Sequence, residues 1–281
     1  MRWEEVCIPE GPFVMGADRE DDGAGGGGGW LPAWPKHVVT LSRYCIDKYE
    51  ITNRRLRRCI DGGGCRRPIA EATTCNAPHG SYTYGDAYLD YPAVYVDPEL
   101  AEQVCAFEGK QLPSEAQWEK AARGGCEIGG DPASCDEADE RPYPWGWDQP
   151  AWDRPNDDRV FFGGQDFPPV GSRPLGASPY GAMDMAGSVT EVILDCDPPS
   201  GETDPTQGYL ACIDGCVDPV NLGCPADTWW RILRGGHGGC ASGGSTLGLR
   251  VYDREVARGG TGHDGARCVR GNAPDDGGGE P

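Results

Sequence analysis

The sequence lacks any long apolar run and has little positive charge. None of its 281 residues belong to a stretch that approaches the about 20 apolar residues of a transmembrane helix. The N-terminal residues 1–5 lead on without the apolar segment of a signal peptide. Lys and Arg number 25 against 45 Asp and Glu, a net charge of −20, and no basic stripe is present. We therefore predict no membrane span and no nucleic-acid partner.

The composition predicts a loop-rich globular domain. Glycine and proline number 44 and 25, whereas nine tryptophans and eleven tyrosines offer large side chains for a core. Neither an internal repeat nor a linker is visible. We therefore expect one domain over residues 1–273, followed by a disordered tail over residues 274–281. The surplus carboxylates suit a solubility surface or hard cations such as calcium.

Fourteen cysteines are too many for an ordinary reduced enzyme. Short spacings recur, as between Cys59 and Cys65 and between Cys126 and Cys135, and favour disulfides in an oxidising compartment. A zinc site at Cys212, Cys216 and Cys224 is the alternative, but the group lacks a Cys-x2-Cys pair and a nearby histidine. We expect an extracytoplasmic protein, periplasmic or secreted, whose leader is missing or which is part of a longer chain. The pairing of the cysteines stays open.

Local signals predict three helices. Thr52 caps the first, which runs to about Asp61. Asp97 followed by proline begins the second, which ends at Gly109, and Ser114 with Gln117 forms a capping box for the third. Alternation and turn residues predict extended segments at 7–16, 37–41, 44–50, 189–194 and 231–234.

A series of segments, in order, resembles the formylglycine-generating enzymes, also called sulfatase-modifying factors. The segments are 11–16, 49–53, 111–125 with its Leu-Pro-Ser-Glu-Ala-Gln-Trp-Glu block, 143–146, 180–191, 234–236 and 265–269. They span nearly the whole chain. The resemblance implies a single irregular, loop-rich α+β domain of low secondary-structure content, related to the C-type lectin fold and containing structural calcium. We expect a monomer that binds a protein or peptide.

Asp184 and Glu191 are candidate calcium ligands. They are hard oxygen donors seven residues apart, and a turn between them could aim both carboxylates and two backbone carbonyls at one cation. On spacing alone, two solvated acids flanking a strand are the simpler interpretation. The resemblance favours calcium, with side chains at Asp184 and Glu191 and carbonyls at Gly187 and Val189. It also suggests a second calcium site near Asn156.

Cys240 stands at the place of one of the two family cysteines that support oxidation of a peptide cysteine by oxygen and copper(I). The second place holds Ser245, whose hydroxyl is a weak copper(I) ligand, so the copper(I) site is incomplete. Cys240 could form a structural disulfide, for instance with Cys268, or be an unreactive thiol. It could also be a reactive thiol whose pKa is lowered by His237. The other histidines, including His263, stand apart from any ligand cluster.

Two functions follow from these features. The first is a formylglycine-generating-type oxidoreductase that acts on a protein cysteine through a non-standard site, with Cys240, Ser245 and His237 as its candidate catalytic residues. The second is a catalytically inactive, calcium-braced exported domain that binds a peptide or glycan.

Overall fold

The computed structural model describes the protein at residues 4–18, 30–31, 33–68, 86–131, 134–136, 139–150, 158–160, 167–196, 215–222, 231–237, 248–256 and 262–271. Short strands and helices are joined by long irregular segments, so the α+β, loop-rich fold expected from the resemblance is confirmed. The expected tail over residues 274–281 lies outside the described residues. No helix in the described ranges has the length and apolar character needed to cross a membrane.

The three predicted helices are confirmed, with their predicted caps. They are α1 (Asn53–Asp61), α2 (Pro98–Phe107) and α3 (Glu115–Arg123). The side chains of Thr52, Asp97 and Ser114 each accept a backbone N–H of the first turn. In α3 the Gln117 side chain also accepts the backbone N–H of Ser114, which completes the capping box. Short 3-10 helices occur at Asp86–Tyr88, Cys126–Ile128 and Pro174–Gly176.

Eleven strands are defined in the described residues. They are β1 (Glu5–Ile8), β2 (Gly11–Met15), β3 (Trp30–Leu31), β4 (His37–Leu41), β5 (Tyr44–Asp47), β6 (Thr190–Cys196), β7 (Cys216–Val217), β8 (Arg231–Arg234), β9 (Arg254–Val256), β10 (Asp264–Ala266) and β11 (Val269–Gly271). They form three sheets, in the orders β1-β5-β11, β2-β4-β7 and β10-β6-β8-β9-β3. The extended segment predicted over 7–16 is divided into β1 and β2 around Pro9 and Glu10.

The five-stranded sheet positions the candidate site. Strand β10 is parallel to β6, with Asp264 opposite Thr190, and β8 is antiparallel to β6, with Arg234 opposite Glu191. The first residues of β6 and β10 and the last residue of β8 therefore meet at one edge of the sheet. Residues that are far apart in sequence become neighbours there.

The core lies against α3, which is buried along almost its whole length. Trp118 is fully buried within the main cluster of apolar side chains, together with Phe13, Ile46 and Ile193. Charged side chains of the same helix are buried as well, and they are paired: Glu119 with Arg123 and Arg234, and Glu115 with Arg254. Glu115 and Glu119 thus meet cationic partners, and the buried Lys120 of the same helix donates to the carbonyls of Pro9 and Gly11, as low-polarity surroundings require.

Four disulfides join Cys7 to Cys45, Cys59 to Cys65, Cys105 to Cys268 and Cys126 to Cys135. Cys196 and Cys216 are also disulfide-bonded, and no described cysteine is free. The suggestion that Cys268 pairs with Cys240 is therefore wrong, because Cys105 on α2 holds it. The disulfide of Cys216 also removes it as a zinc thiolate.

Candidate functional site

The turn after β8 allows a close approach of backbones at the sheet edge. Gly235 and Gly236 both have positive φ, 86° and 64°. A Cβ on Gly236 would lie 2.6 Å from the carbonyl oxygen of Gly248, so a larger residue would clash with backbone. The carbonyl of Gly235 accepts the N–H of Gly187 at 2.8 Å. The glycine pair thus fixes where the chain leaves β8 towards His237.

His237 and His263 stack on each other at this edge. Their ring centroids lie 4.0 Å apart, with 22° between the ring planes. His263 is held by its backbone, because its carbonyl accepts the Thr190 N–H at 2.9 Å and the Thr190 hydroxyl at 3.1 Å. Pairing of β10 with β6 therefore brings His263 to His237, while the statement that His263 stands apart from any ligand cluster stays a prediction.

Asp264 lies beside the histidine pair. Its Oδ1 accepts the Thr190 hydroxyl at 2.7 Å and lies 4.0 Å from Nε2 of His263. Burial lowers the pKa of His263, although the Asp264 carboxylate opposes this shift. Nδ1 of His263 is buried and has no hydrogen-bond partner among the described residues. A neutral imidazole with one unused ring nitrogen can accept a proton or ligate a metal.

Glu191 sits one residue further along β6 and is fully buried. Arg267 donates to both of its oxygens, at 2.6 Å to Oε2 and 2.7 Å to Oε1. The Trp118 indole N–H donates to Oε2 at 3.0 Å. Glu191 is therefore not the solvated acid of the simpler interpretation but the centre of a buried ion pair.

Asp184 and Glu50 complete a cluster of three carboxylates. Burial raises the pKa of Asp184 to about 6, against the hydrogen bond from the Gly171 N–H and the attraction of Arg267, with repulsion from Glu191 a smaller contribution. Burial also raises the pKa of Glu50, with repulsion from Asp184 and then Glu191 adding to it. Glu50 accepts the hydroxyl of Ser188 at 3.0 Å and the backbone N–H of Val189 at 3.2 Å.

The three carboxylates exceed the positive charge in contact with them, but their oxygens do not all lie within 4.8 Å of one another, so a single cation would have to draw them together. The three buried carboxylates are those of Glu50, Asp184 and Glu191. The Arg267 guanidinium contacts Glu191 and attracts the other two, and Arg173 exerts a weaker attraction on Asp184. Asp184 and Ser188 have positive φ of 58° and 62°, so the backbone bends sharply between them. Both oxygens of Glu191 already accept hydrogen bonds from Arg267, so a bound cation would have to share the Glu191 carboxylate with this guanidinium.

The predicted site residues thus divide into two groups. The structure brings Asp184 close to Glu191 and His237 into contact with His263. Cys240, Ser245 and Asn156 lie outside the described residues. The residues that sequence reasoning missed are Glu50, Arg267, Thr190 and Asp264. Glu50, Thr190 and Arg267 fall inside segments that carry the family resemblance, and that position was the available signal.

A known protein family matches this chain along almost its whole length. The family described as "Sulfatase-modifying factor enzyme 1-like domain" matches residues 2–272. The chain is 30% identical over 275 residues to hercynine oxygenase of Mycolicibacterium smegmatis, covering 90% of the chain and 58% of that protein. The chain therefore spans little more than half of this relative's length.

Two further relatives bear on fold and activity. The chain is 26% identical over 226 residues to the protein named inactive C-alpha-formylglycine-generating enzyme 2 of Bos taurus, covering 66% of the chain and 68% of that protein. The structure of PvdO from Pseudomonas aeruginosa superposes with a TM-score of 0.66 at 21% identity, covering 95% of this chain and 93% of that one. The similarity to PvdO shows a shared fold.

Proposed function

Since the chain belongs to the sulfatase-modifying factor enzyme 1-like family, we propose that it is an oxygen-dependent oxidoreductase of the formylglycine-generating type with a non-standard site. Its substrate is a cysteine of a protein or peptide, and the chain works as an extracytoplasmic monomer. The observation that carries this proposal is the turn from Arg234 to His237. It is anchored at the sheet edge and places an imidazole three residues before Cys240.

Cys240 is the reactive residue of the proposal. A thiol reacts as its thiolate, and a neighbouring imidazole that accepts the proton raises the thiolate fraction. His237 follows directly on the fixed glycine turn and supplies that imidazole, while Ser245 offers a hydroxyl as hydrogen-bond donor. Oxidation of a substrate cysteine to an aldehyde consumes oxygen and two electrons from a thiol reductant and releases hydrogen sulfide and water.

Copper(I) does not fit the residues of this chain at the family position. A linear copper(I) site takes two thiolates, whereas Cys240 is matched with Ser245, a hydroxyl that stays protonated near neutral pH. Among the described cysteines none is free to replace the missing thiolate. No step of the proposed oxidation therefore uses copper.

Calcium is proposed as a structural ion at the carboxylate cluster. Asp184 and Glu191 would hold it with their side chains and Gly187 and Val189 with their carbonyls, and Glu50 adds a carboxylate that the sequence did not point to. The excess of buried negative charge supports this assignment. The ion would fix the turn that leads into β6, and a second ion near Asn156 belongs to the same proposal.

Oxidation of a peptide tests the catalytic part. The purified protein is offered a Cys-x-Pro-x-Arg peptide with oxygen and a thiol reductant, without added metal and with Cu⁺, Fe²⁺ or Mn²⁺ in turn. Mass spectrometry follows conversion of the peptide cysteine to an aldehyde. We expect conversion by the wild type, loss in Cys240→Ala and a strong decrease in His237→Ser, with His37→Gln unchanged. Equal turnover by Cys240→Ala would refute the catalytic assignment.

A binding domain without catalysis is the second candidate. The relative from Bos taurus whose name includes "inactive" and the serine at position 245 both favour it. It predicts saturable, calcium-dependent binding to a peptide or glycan array, abolished by a chelator, together with no peptide oxidation under any of the conditions above. An absence of saturable binding on both arrays would dismiss this candidate.

A further inference from the structure

The histidine pair has the form of a metal-binding site that is separate from the carboxylate cluster. We propose that His237 and His263 bind one borderline transition-metal cation, of the Cu²⁺ or Zn²⁺ class, with Asp264 orienting His263. The proposal goes beyond the proposed function, and while the cation is bound His237 does not serve as the proton acceptor of Cys240. Its test uses no substrate, so its failure and that of the proposed oxidation are distinguishable.

The distance between the rings is the first argument. Two imidazole nitrogens on one tetrahedral zinc ion lie about 3.4 Å apart, because each zinc–nitrogen bond is about 2.05 Å. The rings of His237 and His263 are already stacked with centroids 4.0 Å apart. His263 is fixed by its backbone, whereas His237 is partly exposed at the end of a glycine turn. Stacked rings point their nitrogens side by side rather than at one point, so the His237 side chain has to turn out of the stack before both nitrogens can reach one cation.

The polar atoms around His263 are the second argument. Metal-bound histidines commonly direct the second ring nitrogen at a carboxylate, which sets the tautomer and the ring orientation. Nε2 of His263 lies 4.0 Å from Asp264 Oδ1, while Nδ1 is buried without a described hydrogen-bond partner. The 4.0 Å separation is longer than a hydrogen bond, so Asp264 would contact Nε2 only as the His263 ring turns to present Nδ1 to the cation.

The chemistry of the donors selects the class of cation. Imidazole suits Cu²⁺, Zn²⁺ and Ni²⁺, and Cu²⁺ binds most tightly in this series. Calcium prefers oxygen ligands and would stay with Glu50, Asp184 and Glu191. The two sites on either side of the start of β6 are therefore selective for different ions, and one can be saturated without filling the other.

Cu²⁺ and Zn²⁺ titration of the whole chain tests the site. The protein is freed of metal with a chelator and then titrated by calorimetry with 1 mM Ca²⁺ and 0.15 M salt present, so that the acidic surface does not contribute. We expect one Cu²⁺ per chain, with binding weakened at least 100-fold in both His237→Ser and His263→Asn. Asp264→Asn should weaken binding by about 10- to 100-fold, as loss of an orienting carboxylate does. His37→Gln and His79→Gln are the matched controls and should bind like the wild type.

A spectroscopic measurement on the wild type keeps the test decisive if a variant does not fold. Electron paramagnetic resonance of the one-to-one Cu²⁺ complex should show hyperfine coupling to two imidazole nitrogens. Coupling to fewer than two, or unchanged Cu²⁺ affinity in a folded His263→Asn variant, would overturn the proposal. Cu²⁺ binding with two imidazoles but no peptide oxidation would retain the site and reject only the oxidase.

Discussion

Glu191 shows how one buried carboxylate depends on partners from two other parts of the chain. Its carboxylate is buried and takes hydrogen bonds from Arg267 and from the indole of Trp118. Arg267 in turn donates to the Met183 carbonyl at 2.9 Å, so the guanidinium also braces the turn before β6. Taking away one partner of such a pair leaves an uncompensated charge in the core.

Replacement of Arg267 by methionine should destabilise the protein strongly. We expect a loss of about 3–5 kcal/mol in the free energy of unfolding, because Glu191 loses the one cationic side chain that contacts it among the described residues while remaining buried. Urea denaturation followed by tryptophan fluorescence measures the change. Arg270→Met is the matched control, since Arg270 is half-exposed and pairs with Glu5 at the surface, and it should cost under about 1 kcal/mol. Similar losses for the two variants would contradict the argument.

Asp195 should make stability depend on pH. Burial raises its pKa to about 7, and repulsion from Glu115 adds to the shift. Between about pH 4, the pKa of an unfolded aspartate, and pH 7 the folded state holds a proton that the unfolded state has lost. The free energy of unfolding therefore falls as the pH rises through this window, by up to about 1.4 kcal/mol per pH unit from this group.

Asp195→Asn should remove this contribution. The amide oxygen can still accept one of the two backbone N–H groups, of Glu115 and Asn221, that the carboxylate accepts at 2.8 and 2.9 Å. Urea denaturation at several pH values between 4 and 8, with calcium held constant, compares the two slopes. The variant should show a shallower fall in stability with rising pH. Parallel curves for wild type and variant would show that Asp195 does not titrate in this range.

At the scale of elements, α3 is the helix on which the core and the site both depend. It contributes Trp118 to Glu191, Glu119 to Arg234 and Glu115 to Arg254. Its start is defined by the reciprocal bonds of Ser114 and Gln117. A helix of nine residues with so many buried polar groups needs a firmly set first turn, because a shift would break several ion pairs at once.

Ser114→Ala should cost about 1 kcal/mol of unfolding free energy, the usual effect of losing an N-cap side chain. Ser114→Gly is the control, because glycine tolerates the cap conformation and should cost only a few tenths of a kcal/mol. Thermal and urea denaturation measure both. If the alanine variant were as stable as the wild type, the cap side chain would contribute nothing measurable to α3.

At the scale of the whole molecule, the disulfides and the edge strands tie distant segments together. Cys105 on α2 is joined to Cys268 across 163 residues of sequence, and β11 next to it pairs with β5. The segment after β10 is thereby held to the first third of the chain. This closure keeps Arg267 and His263 in place on the five-stranded sheet.

Removal of the Cys105–Cys268 disulfide should destabilise the fold more than removal of Cys59–Cys65. The first closes a loop with a sequence separation of 163 and the second one of 6, and constraint of the unfolded chain grows with loop length. We expect about 2–5 kcal/mol for the double alanine variant of the first pair and a smaller loss for the second. Non-reducing mass spectrometry confirms the remaining bonds before denaturation. A larger loss for the short loop would reverse the argument.

Local features of the sequence determined much of the fold. The caps at Thr52, Asp97 and Ser114 located all three helices, because a capping side chain binds the N–H groups of the adjacent turn. Alternating residues located β4 and β8, and an ordered series of motifs identified the family. The family resemblance, rather than the seven-residue spacing, pointed to a site shared by Asp184 and Glu191.

The tertiary structure alone decided what these residues meet. Glu191 contacts Arg267 across 76 positions, Glu50 contacts Ser188 across 138, and Cys268 bonds to Cys105 rather than to Cys240. His263 reaches His237 because β10 runs parallel to β6 while β8 runs antiparallel to it. Spacing within one segment encodes local turns and faces, whereas strand order and disulfide closure depend on packing of the whole chain. The partners of the site residues were therefore set by sheet topology, and local sequence patterns carry no record of it.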